Sequence, residues 1–417
     1  MRITLATVGT RGDVQPYIAV ACELQKRGHD VVIATHPEFK PLLTEYGLAH
    51  REVGGSFRAL MESDLGRAWL NSGDSPRKYA KYARELFLPL QEMYCEQFDE
   101  ACADAEGIVF YAMASGGLYA AERRKVPVVA VAPWAMVPNG EAIPMSSPMI
   151  DHLPAAAKRW IFSQIVKLAF GSMTPVHNAY RQRVGLPPLS GPTFVHHAVA
   201  IGTPMVHLFS EHVVPRPRDF APHHHVAGFS FAPDKPYDPP ASLRDFLSSG
   251  SQPIYLGFGS MTGFAPEELA ELATRAARLA GVRAVVASGW AGLQPKPSDD
   301  VYVIDEIPHD WVFPRVSAVV HHGGAGTLAA GLRFGKPTVV AAFFGDQPVW
   351  GRLNEKLGTG PSALSRQNIT AENLAIAIRK ATVDERYRLR AEELAAKIAR
   401  ENGAARAAEL IETSLAM

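Results

Sequence analysis

Cysteine and net charge are both scarce in this sequence. Its 417 residues contain three cysteines, Cys22, Cys95 and Cys102, and 42 basic side chains balance 42 acidic ones. An odd, widely spaced cysteine set excludes the common zinc-ligand spacings and a disulfide framework, so we expect a reducing compartment. The charge balance gives no electrostatic reason to expect nucleic acid or acidic membrane lipid as a partner.

Long uncharged apolar runs are also missing. No run reaches the roughly 18 residues that a membrane-spanning helix requires. Residues 1–20 do not resemble a secretory leader, because Arg11 and Asp13 interrupt their apolar character. We therefore expect a cytoplasmic protein. The length exceeds that of one ordinary core, and a hydrophobic fraction of 47% supplies enough core material for two domains.

Apolar runs alternate with stretches of helical spacing along the chain. In the first half, residues 3–8 and 31–35 have the pattern of buried strands, with a helix predicted over 16–27 between them. A second alternation begins at Ile254, after a proline-rich stretch at 211–241. This pattern predicts two α/β domains, each with a doubly wound parallel sheet.

Residues 318–347 are the most informative part of the chain, with the sequence AVVHHGGAGTLAAGLRFGKPTVVAAFFGDQ. They predict a strand ending near Val320, a glycine-rich turn over 323–327 and a helix over 328–334. A strand, tight turn and helix in this order direct free backbone N–H groups and a positive dipole end at one ligand. We expect an anion there, in the form of a nucleoside diphosphate.

Three kinds of site compete for this unit. A P-loop is excluded because no lysine follows the glycines. The dinucleotide fingerprint G-x-G-x-x-G/A is met by Gly324, Gly326 and Ala329, with Asp346 about 20 residues further on, where a ribose would bind an acid. A nucleotide-sugar site would in addition use His321 as a donor to phosphate and Asp346 with Gln347 as partners of sugar hydroxyls.

Several segments resemble a known family. The donor-binding signature of the GT-B family 1 glycosyltransferases resembles PHDWVFPRVSAVVHHGGAGT (308–327) and GLRFGKPTVVAAFFGDQPVWG (331–351). The amino-terminal loop of that family resembles TVGTRGDVQPYIAVACELQKRGHDVVIATH (7–36), and the first strand of its donor domain resembles IYLGFGSM (254–261). The similarity is greatest to the sterol 3-β-glucosyltransferase branch, with bacterial natural-product glycosyltransferases as near relatives.

The resemblance implies a fold and a domain plan. The expected fold is GT-B, with two facing Rossmann-like doubly wound domains and a cleft between them. Residues 1–215 would bind the acceptor and residues 216–384 the nucleotide sugar. A helical stretch over about 385–417 would pack back on the first domain.

The resemblance also implies a catalytic base. Asp13, in the loop Gly9-Thr10-Arg11-Gly12-Asp13, would take the proton of the acceptor hydroxyl, and Gly12 of the same loop would contact the donor. Many plant relatives use a histidine in this loop, but this chain has none between residues 9 and 28. The alternative is that Asp13 only caps the helix that Pro16 begins.

The remaining donor contacts are assigned in the same way. His321 would bind phosphate, and His322 would be structural because its side chain points the other way along a strand. The other donor-binding candidates are Ser260, Trp290 stacking on the base, the backbone of Ile307, the main chain of Gly324, Ala325, Gly326 and Thr327, and the hydroxyl-binding pair Asp346 and Gln347.

The expected activity is inverting transfer of a hexose, most simply from UDP-glucose, to a hydroxyl of a lipophilic acceptor such as a sterol, terpenoid, polyketide or lipid. We expect no metal and no cofactor besides the nucleotide sugar, because the chain has no Asp-x-Asp pair. The run His223-His224-His225 lacks partners at ligand spacing. An NAD-dependent oxidoreductase and a catalytically silent partner subunit remain as alternatives.

Two further properties concern association. Residues 158–170, KRWIFSQIVKLAF, have the spacing of an amphipathic helix with basic flanks. Such a helix lies either on a membrane surface or over a protein core, and the sequence leaves both open. We expect a monomer or a weak dimer.

Overall fold

The structure is a computed structural model that describes residues 1–72, 75–142, 148–259, 266–289, 298–343 and 345–417. The chain divides into two compact units. One consists of Met1–Pro233 with Glu401–Met417, and the other of Asp234–Arg400. The sequence predicts the first boundary at 215/216 and the return to the first domain at about 385.

A parallel sheet of seven strands forms the first unit. Its order is β3-β2-β1-β4-β5-β6-β7, and all neighbouring strands are parallel. The strands are β1 (Arg2–Ala6), β2 (Asp30–Thr35), β3 (Ala49–Glu52), β4 (Gly107–Phe110), β5 (Val128–Ala132), β6 (Met205–His207) and β7 (His224–Val226).

Helices connect these strands. They are α1 (Arg11–Lys26), α2 (Lys40–Glu45), α3 (Phe57–Glu62), α4 (Asp64–Leu70), α5 (Pro76–Phe87), α6 (Gln91–Ala101), α7 (Gly116–Arg124), α8 (Pro148–Asp151), α9 (Ala155–Phe170), α10 (Thr174–Arg183) and α11 (Phe194–Ala200).

The second unit has a six-stranded parallel sheet with the order β10-β9-β8-β11-β12-β13. Its strands are β8 (Ile254–Gly257), β9 (Ala284–Ala287), β10 (Val301–Ile304), β11 (Val319–His321), β12 (Thr338–Ala342) and β13 (Leu364–Ser365). Its helices are α12 (Ala241–Ser248), α13 (Pro266–Ala280), α14 (His309–Val312), α15 (Ala325–Arg333), α16 (Gln347–Leu357), α17 (Ala371–Val383) and α18 (Glu385–Ile398). The last helix, α19 (Gly403–Leu415), belongs to the first unit.

Both sheets change winding direction beside their first strand. In the first unit β1 lies between β2 and β4, and in the second β8 lies between β9 and β11. Open α/β sheets bind ligands at the carboxyl ends of the strands at such a reversal. The loop after β1 and the turns after β8 and β11 therefore occupy the expected binding edge of each unit.

Both faces of the second sheet are buried, because successive apolar side chains along its strands pack on opposite faces. Leu256, Val286 and Val320 pack on one face with α13 and α17, whereas Tyr255 and Val319 pack on the other. This alternation is the two-residue period of a strand. It places His321, the last residue of β11, on the same face as Val319.

Three elements differ from the sequence prediction. Helix α1 begins at Arg11, so Pro16 lies inside it and does not start it. The proline-rich stretch 211–241 contains strand β7, which completes the first sheet. Instead of one long helix after Asp384, α18 remains in the second unit and α19 packs on α1 of the first.

Candidate functional site

The loop after β1 holds Asp13 by its own helix start. Thr10 is the N-cap of α1, and its side chain accepts a hydrogen bond from Gly12 N. In return, Asp13 Oδ2 accepts bonds from Thr10 N at 2.8 Å and from Thr10 Oγ1 at 3.1 Å. This reciprocal pattern is a capping box. The capping role that the sequence left open is therefore real, although the cap belongs to a helix that begins at Arg11.

Gly9 makes room for that carboxylate. Its φ is +128°, in the region that favours glycine, and a Cβ built there would lie 2.3 Å from Asp13 Oδ2. Any side chain at position 9 would displace the carboxylate. The carboxylate of the half-buried Asp13 is thus fixed by its bonds to Thr10, and it occupies the space that a Cβ at position 9 would fill.

In the second unit, the turn after β11 packs tightly against the start of α16. Gly323 has a φ of +93°, and a Cβ there would lie 2.8 Å from Val340 and 3.1 Å from the carbonyl oxygen of Gln347. Only a glycine fits this position. The close approach brings the predicted phosphate-binding turn and the predicted sugar-binding residues to one place.

His321 has one satisfied and one unsatisfied ring nitrogen. Gly323 N donates a hydrogen bond of 2.9 Å to His321 Nδ1. Since Nδ1 accepts, the proton of the neutral ring lies on Nε2. Nε2 is buried and has no partner among the residues that the structure describes. Burial also lowers the pKa of His321 well below its usual value, so the side chain is a neutral N–H donor.

The helix that follows is open at its amino end. Gly324 is the N-cap of α15, and no side chain caps this helix. Ala325, Gly326 and Thr327 form its first turn, whose N–H groups have no acceptor within an α-helix. Two kinds of donor, these N–H groups and His321 Nε2, thus belong to one strand–turn–helix unit, and together they suit an anion.

Asp346 and Gln347 lie at the start of α16. Trp350 Nε1 donates to Asp346 Oδ2 at 2.7 Å, and burial raises the pKa of this half-buried carboxyl. Gln347 is buried, and its Oε1 accepts a bond of 2.8 Å from Phe343 N. The amide oxygen of Gln347 therefore closes its own turn, whereas the Asp346 carboxylate is only partly covered.

The other predicted residues fall in three groups. Gly12 is exposed in the first turn of α1. The side chain of Ile307 packs in the apolar cluster around Phe313, between β10 and α14. Ser260 and Trp290 lie outside the described residues, so their roles stay predictions.

His322 is a further candidate of this site. Its ring lies between two turns: a Cβ at Gly259 would meet its Cε1 at 2.9 Å, and one at Gly324 would meet its Nε2 at 2.6 Å. Burial lowers its pKa to about 4, and its Nδ1 has no partner among the described residues. The sequence signal for this contact is the pair of glycines, one after each of two adjacent strands.

The run His223-His224-His225 belongs to the edge of the first sheet. His224 and His225 begin β7 and pair with Met205 and Val206 of β6. Successive side chains of a strand point to opposite faces, so the run cannot converge on one ion. Across the described ranges, no three His, Cys, Asp or Glu side chains form a group suited to a metal.

Two family models match parts of the chain, and curated proteins and solved structures are similar to nearly all of it. The glycosyltransferase family 28 N-terminal domain matches residues 3–136, and the erythromycin biosynthesis protein CIII-like C-terminal domain matches residues 284–413. The sterol 3-beta-glucosyltransferase UGT80A2 of Arabidopsis thaliana is 34% identical over 419 residues, which cover 97% of this chain and 64% of that protein. A sterol 3-beta-glucosyltransferase of Cryptococcus neoformans is 31% identical over 441 residues, which cover 99% of this chain and 27% of that protein. The chain thus spans just under two thirds of the plant relative.

Solved structures show the same fold at low sequence identity. The glycosyltransferase of kitacinnamycin superimposes with a TM-score of 0.73 at 19% identity, over 99% of each chain. The glycosyltransferase VinC in complex with DTDP gives a TM-score of 0.69 at 17% identity, over all of each chain. Two parallel sheets with matching family models at both ends of the sequence confirm the predicted fold class, and the chain belongs to the GT-B glycosyltransferases.

Proposed function

We propose that the chain is an inverting glycosyltransferase that transfers glucose from UDP-glucose to the 3β-hydroxyl of a sterol. The relatives that cover nearly the whole chain carry the name sterol 3-beta-glucosyltransferase, which supports both the sugar and the acceptor. Sterols belong to the lipophilic acceptor class that the sequence predicts. The comparisons do not favour the NAD-dependent oxidoreductase.

The unsatisfied Nε2–H of His321 is the observation that carries the proposal. A buried donor without an acceptor costs about 1–3 kcal/mol, and a phosphate oxygen would remove that cost. The open amino end of α15 adds backbone donors and a positive dipole end. Both features would bind the diphosphate of the donor and stabilise the negative charge that develops on it as it leaves.

Asp13 is the proposed base. An aliphatic hydroxyl is barely ionised near neutral pH, so it needs a group that takes its proton during attack. In the proposed step, the acceptor oxygen forms a bond to the anomeric carbon while its proton passes to the Asp13 carboxylate. The bond from that carbon to the diphosphate breaks, and its electron pair leaves with UDP. Attack on the face opposite the leaving group converts an α-linked donor into a β-glycoside.

Other contacts follow from the second unit. The partly covered Asp346 carboxylate would accept bonds from sugar hydroxyls, with Gln347 holding the turn beside it. The backbone of Ile307 would meet the edge of the base. No step of this scheme requires a metal, because the donors of α15 and His321 would carry the diphosphate charge.

The test separates binding from catalysis. Calorimetric titration with UDP, TDP and NADH in EDTA should show binding of UDP and none of NADH. Incubation with UDP-glucose and a 3β-hydroxysterol in EDTA should then give a steryl glucoside by mass spectrometry. Binding of NADH alone would overturn the proposal. UDP binding without transfer to any hydroxylated acceptor would instead identify a catalytically silent subunit.

A further inference from the structure

Helix α16 begins with an acidic residue that does not cap it. Asp346 is the N-cap residue, and its carbonyl oxygen accepts hydrogen bonds from Val349 N at 2.9 Å and from Trp350 N at 3.2 Å. An aspartate at an N-cap usually has an extended backbone, and its carboxylate accepts from the N–H groups of the first turn. Asp346 instead has the helical values φ −82° and ψ −11°, and its side chain makes no capping bond. The carboxylate is therefore available to another partner.

That partner is the indole one turn further along the helix. Trp350 Nε1 donates to Asp346 Oδ2 at 2.7 Å. Residues four apart lie on the same side of a helix, so this bond needs no distortion of α16. Trp350 is only 4% exposed, and a buried indole N–H requires an acceptor. Because the ring is packed in the interior, its N–H fixes the position of Oδ2.

The backbone at the start of α16 is held by other contacts. Gln347 Oε1 accepts a bond of 2.8 Å from Phe343 N. The turn after β11 lies against the carbonyl oxygen of Gln347, which is 3.1 Å from the position of a Cβ at Gly323. Neither contact involves the carboxylate of Asp346. The bond from Trp350 therefore orients a side chain on a backbone that is already fixed.

The same bond acts on the charge of Asp346. Burial raises the pKa of this carboxyl, whereas the hydrogen bonds from Trp350 and from its own backbone N–H lower that pKa. Among the described residues, no charged side chain contributes to this shift. An ionised carboxylate only accepts hydrogen bonds, and a protonated one also donates. The indole N–H thus favours the form that accepts from hydroxyl groups.

We propose that Trp350 is a positioning residue for the donor sugar: its indole N–H holds Oδ2 of Asp346, so that Oδ1 accepts a hydrogen bond from a hydroxyl of the hexose. The inference rests on the proposed function and adds a source of selectivity to it. A carboxylate in one fixed orientation accepts from a hydroxyl in one direction, whereas a rotating carboxylate accepts from several. The chain should therefore distinguish UDP-glucose from UDP-galactose, in which one hydroxyl has the opposite orientation.

The experiment removes the indole N–H from the full chain. Trp350→Phe removes the donor together with part of the ring volume, and Trp350→benzothienylalanine replaces only the N–H by sulfur. The matched control is Trp311→Phe, which changes a half-buried indole of the same unit whose ring contacts Tyr237 and Arg315. Kinetics with UDP-glucose, UDP-galactose and a 3β-hydroxysterol are measured for each protein between about pH 5 and 9. Calorimetry gives the Kd for UDP.

Both changes at Trp350 should raise KM for UDP-glucose about tenfold, with a smaller effect on kcat and none on the Kd for UDP. The preference for UDP-glucose over UDP-galactose should fall by a similar factor. Loss of the donor raises the pKa of Asp346, so the acid limb of kcat/KM should move about one unit to higher pH. The control should match the wild type in every measurement.

An unchanged pH profile and an unchanged sugar preference in the benzothienylalanine variant would overturn the role of Trp350. So would an equal loss of UDP and UDP-glucose binding, because the bond would then serve only the fold. If the wild type binds UDP but transfers no sugar, the proposed function fails instead, and calorimetry with UDP-glucose decides the role of Trp350. The variants should then lose the affinity that the hexose adds to UDP, and the same gain in variant and wild type would contradict the inference.

Discussion

Replacement of His321 by asparagine tests the proposed phosphate contact without removing the side chain's other role. The ring has two duties: Nδ1 accepts from Gly323 N, and Nε2 offers a proton to the proposed phosphate. The Asn amide oxygen lies near the position of Nδ1 and can keep the first bond. The shorter side chain has nothing at the position of Nε2. His321→Asn should therefore fold normally and lose only the ligand contact.

The magnitude follows from the charge of the acceptor. A hydrogen bond to a charged group contributes about 1.5–3 kcal/mol, which corresponds to a Kd for UDP that is roughly 10- to 150-fold higher. Calorimetry measures this value directly. His321→Gln, whose amide nitrogen reaches the position of Nε2, should recover part of the affinity.

The pH dependence provides an independent check on His321. Because burial lowers the pKa of His321 well below its usual value, the ring stays neutral at neutral pH and acts as an N–H donor without a charge. Deprotonation of His321 should therefore not weaken the binding of UDP to the wild type between pH 6.5 and 8. Equal UDP affinity of His321→Asn and wild type, with both proteins folded, would refute the phosphate role.

Four further changes test other parts of the site and the fold. Asp13→Asn should lower the transfer rate about 10²- to 10⁴-fold while UDP affinity stays the same, and retained turnover would exclude Asp13 as the base. Gly9→Ala should destabilise the chain by about 1–3 kcal/mol and reduce transfer, because a Cβ there collides with the Asp13 carboxylate; wild-type turnover and melting would contradict this steric argument. Asp346→Asn should lower kcat/KM for UDP-glucose, by an amount that corresponds to a lost contact of about 1–3 kcal/mol, but leave UDP binding unchanged. A parallel loss of kcat/KM and UDP binding would show that Asp346 has a structural role instead. Finally, burial lowers the pKa of His207 to about 3 and that of His224 to about 4, so the unfolded chain binds protons on these rings at a higher pH than the folded chain does. Their contribution to stability is complete above about pH 6.5 and is lost as the pH falls toward 4. Melting curves should therefore show a melting temperature that falls over this pH range, and falls less steeply for His224→Phe. An equally steep fall in the variant would count against the assignment.

The sequence predicted the fold correctly where the residues of an element determine its structure without partners from elsewhere in the chain. Strand β11, the glycine turn and strand β12 are visible in residues 318–347 because buried parallel strands are continuous apolar runs and glycines mark the turn. The predictions that were wrong concern elements that depend on hydrogen-bond partners outside their own apolar pattern. Strand β7 has three residues among prolines and exists because β6 pairs with it. Helix α1 begins at Arg11 because Thr10 and Asp13 bond to each other across the first turn.

Burial was the other quantity that the sequence could not provide. Periodicity indicated that 158–170 is amphipathic, but only the packing of Phe162 and Val166 shows that the covered side is narrow and that Trp160 faces outward. His321 was predicted from its place before a glycine turn. The absence of an acceptor for its Nε2 within the described residues depends on the neighbours of the folded chain. Such partnerless donors emerge only in three dimensions.

Each unit contains a strand–loop–helix arrangement at the reversal of its sheet, β1 with α1 in the first unit and β11 with α15 in the second, and the two helix starts differ chemically. The first turn of α1 is closed by its own side chains, since Thr10 accepts from Gly12 N and Asp13 bonds back to Thr10. The first turn of α15 begins at Gly324 and has no side-chain cap. An anion placed at α1 would meet the Asp13 carboxylate and be repelled, whereas one at α15 would meet the N–H groups of a helix end without a side-chain cap. In the proposed reaction this difference would direct the diphosphate to the second unit and leave the first unit with a fixed carboxylate, which is the division of roles that transfer to a neutral hydroxyl requires.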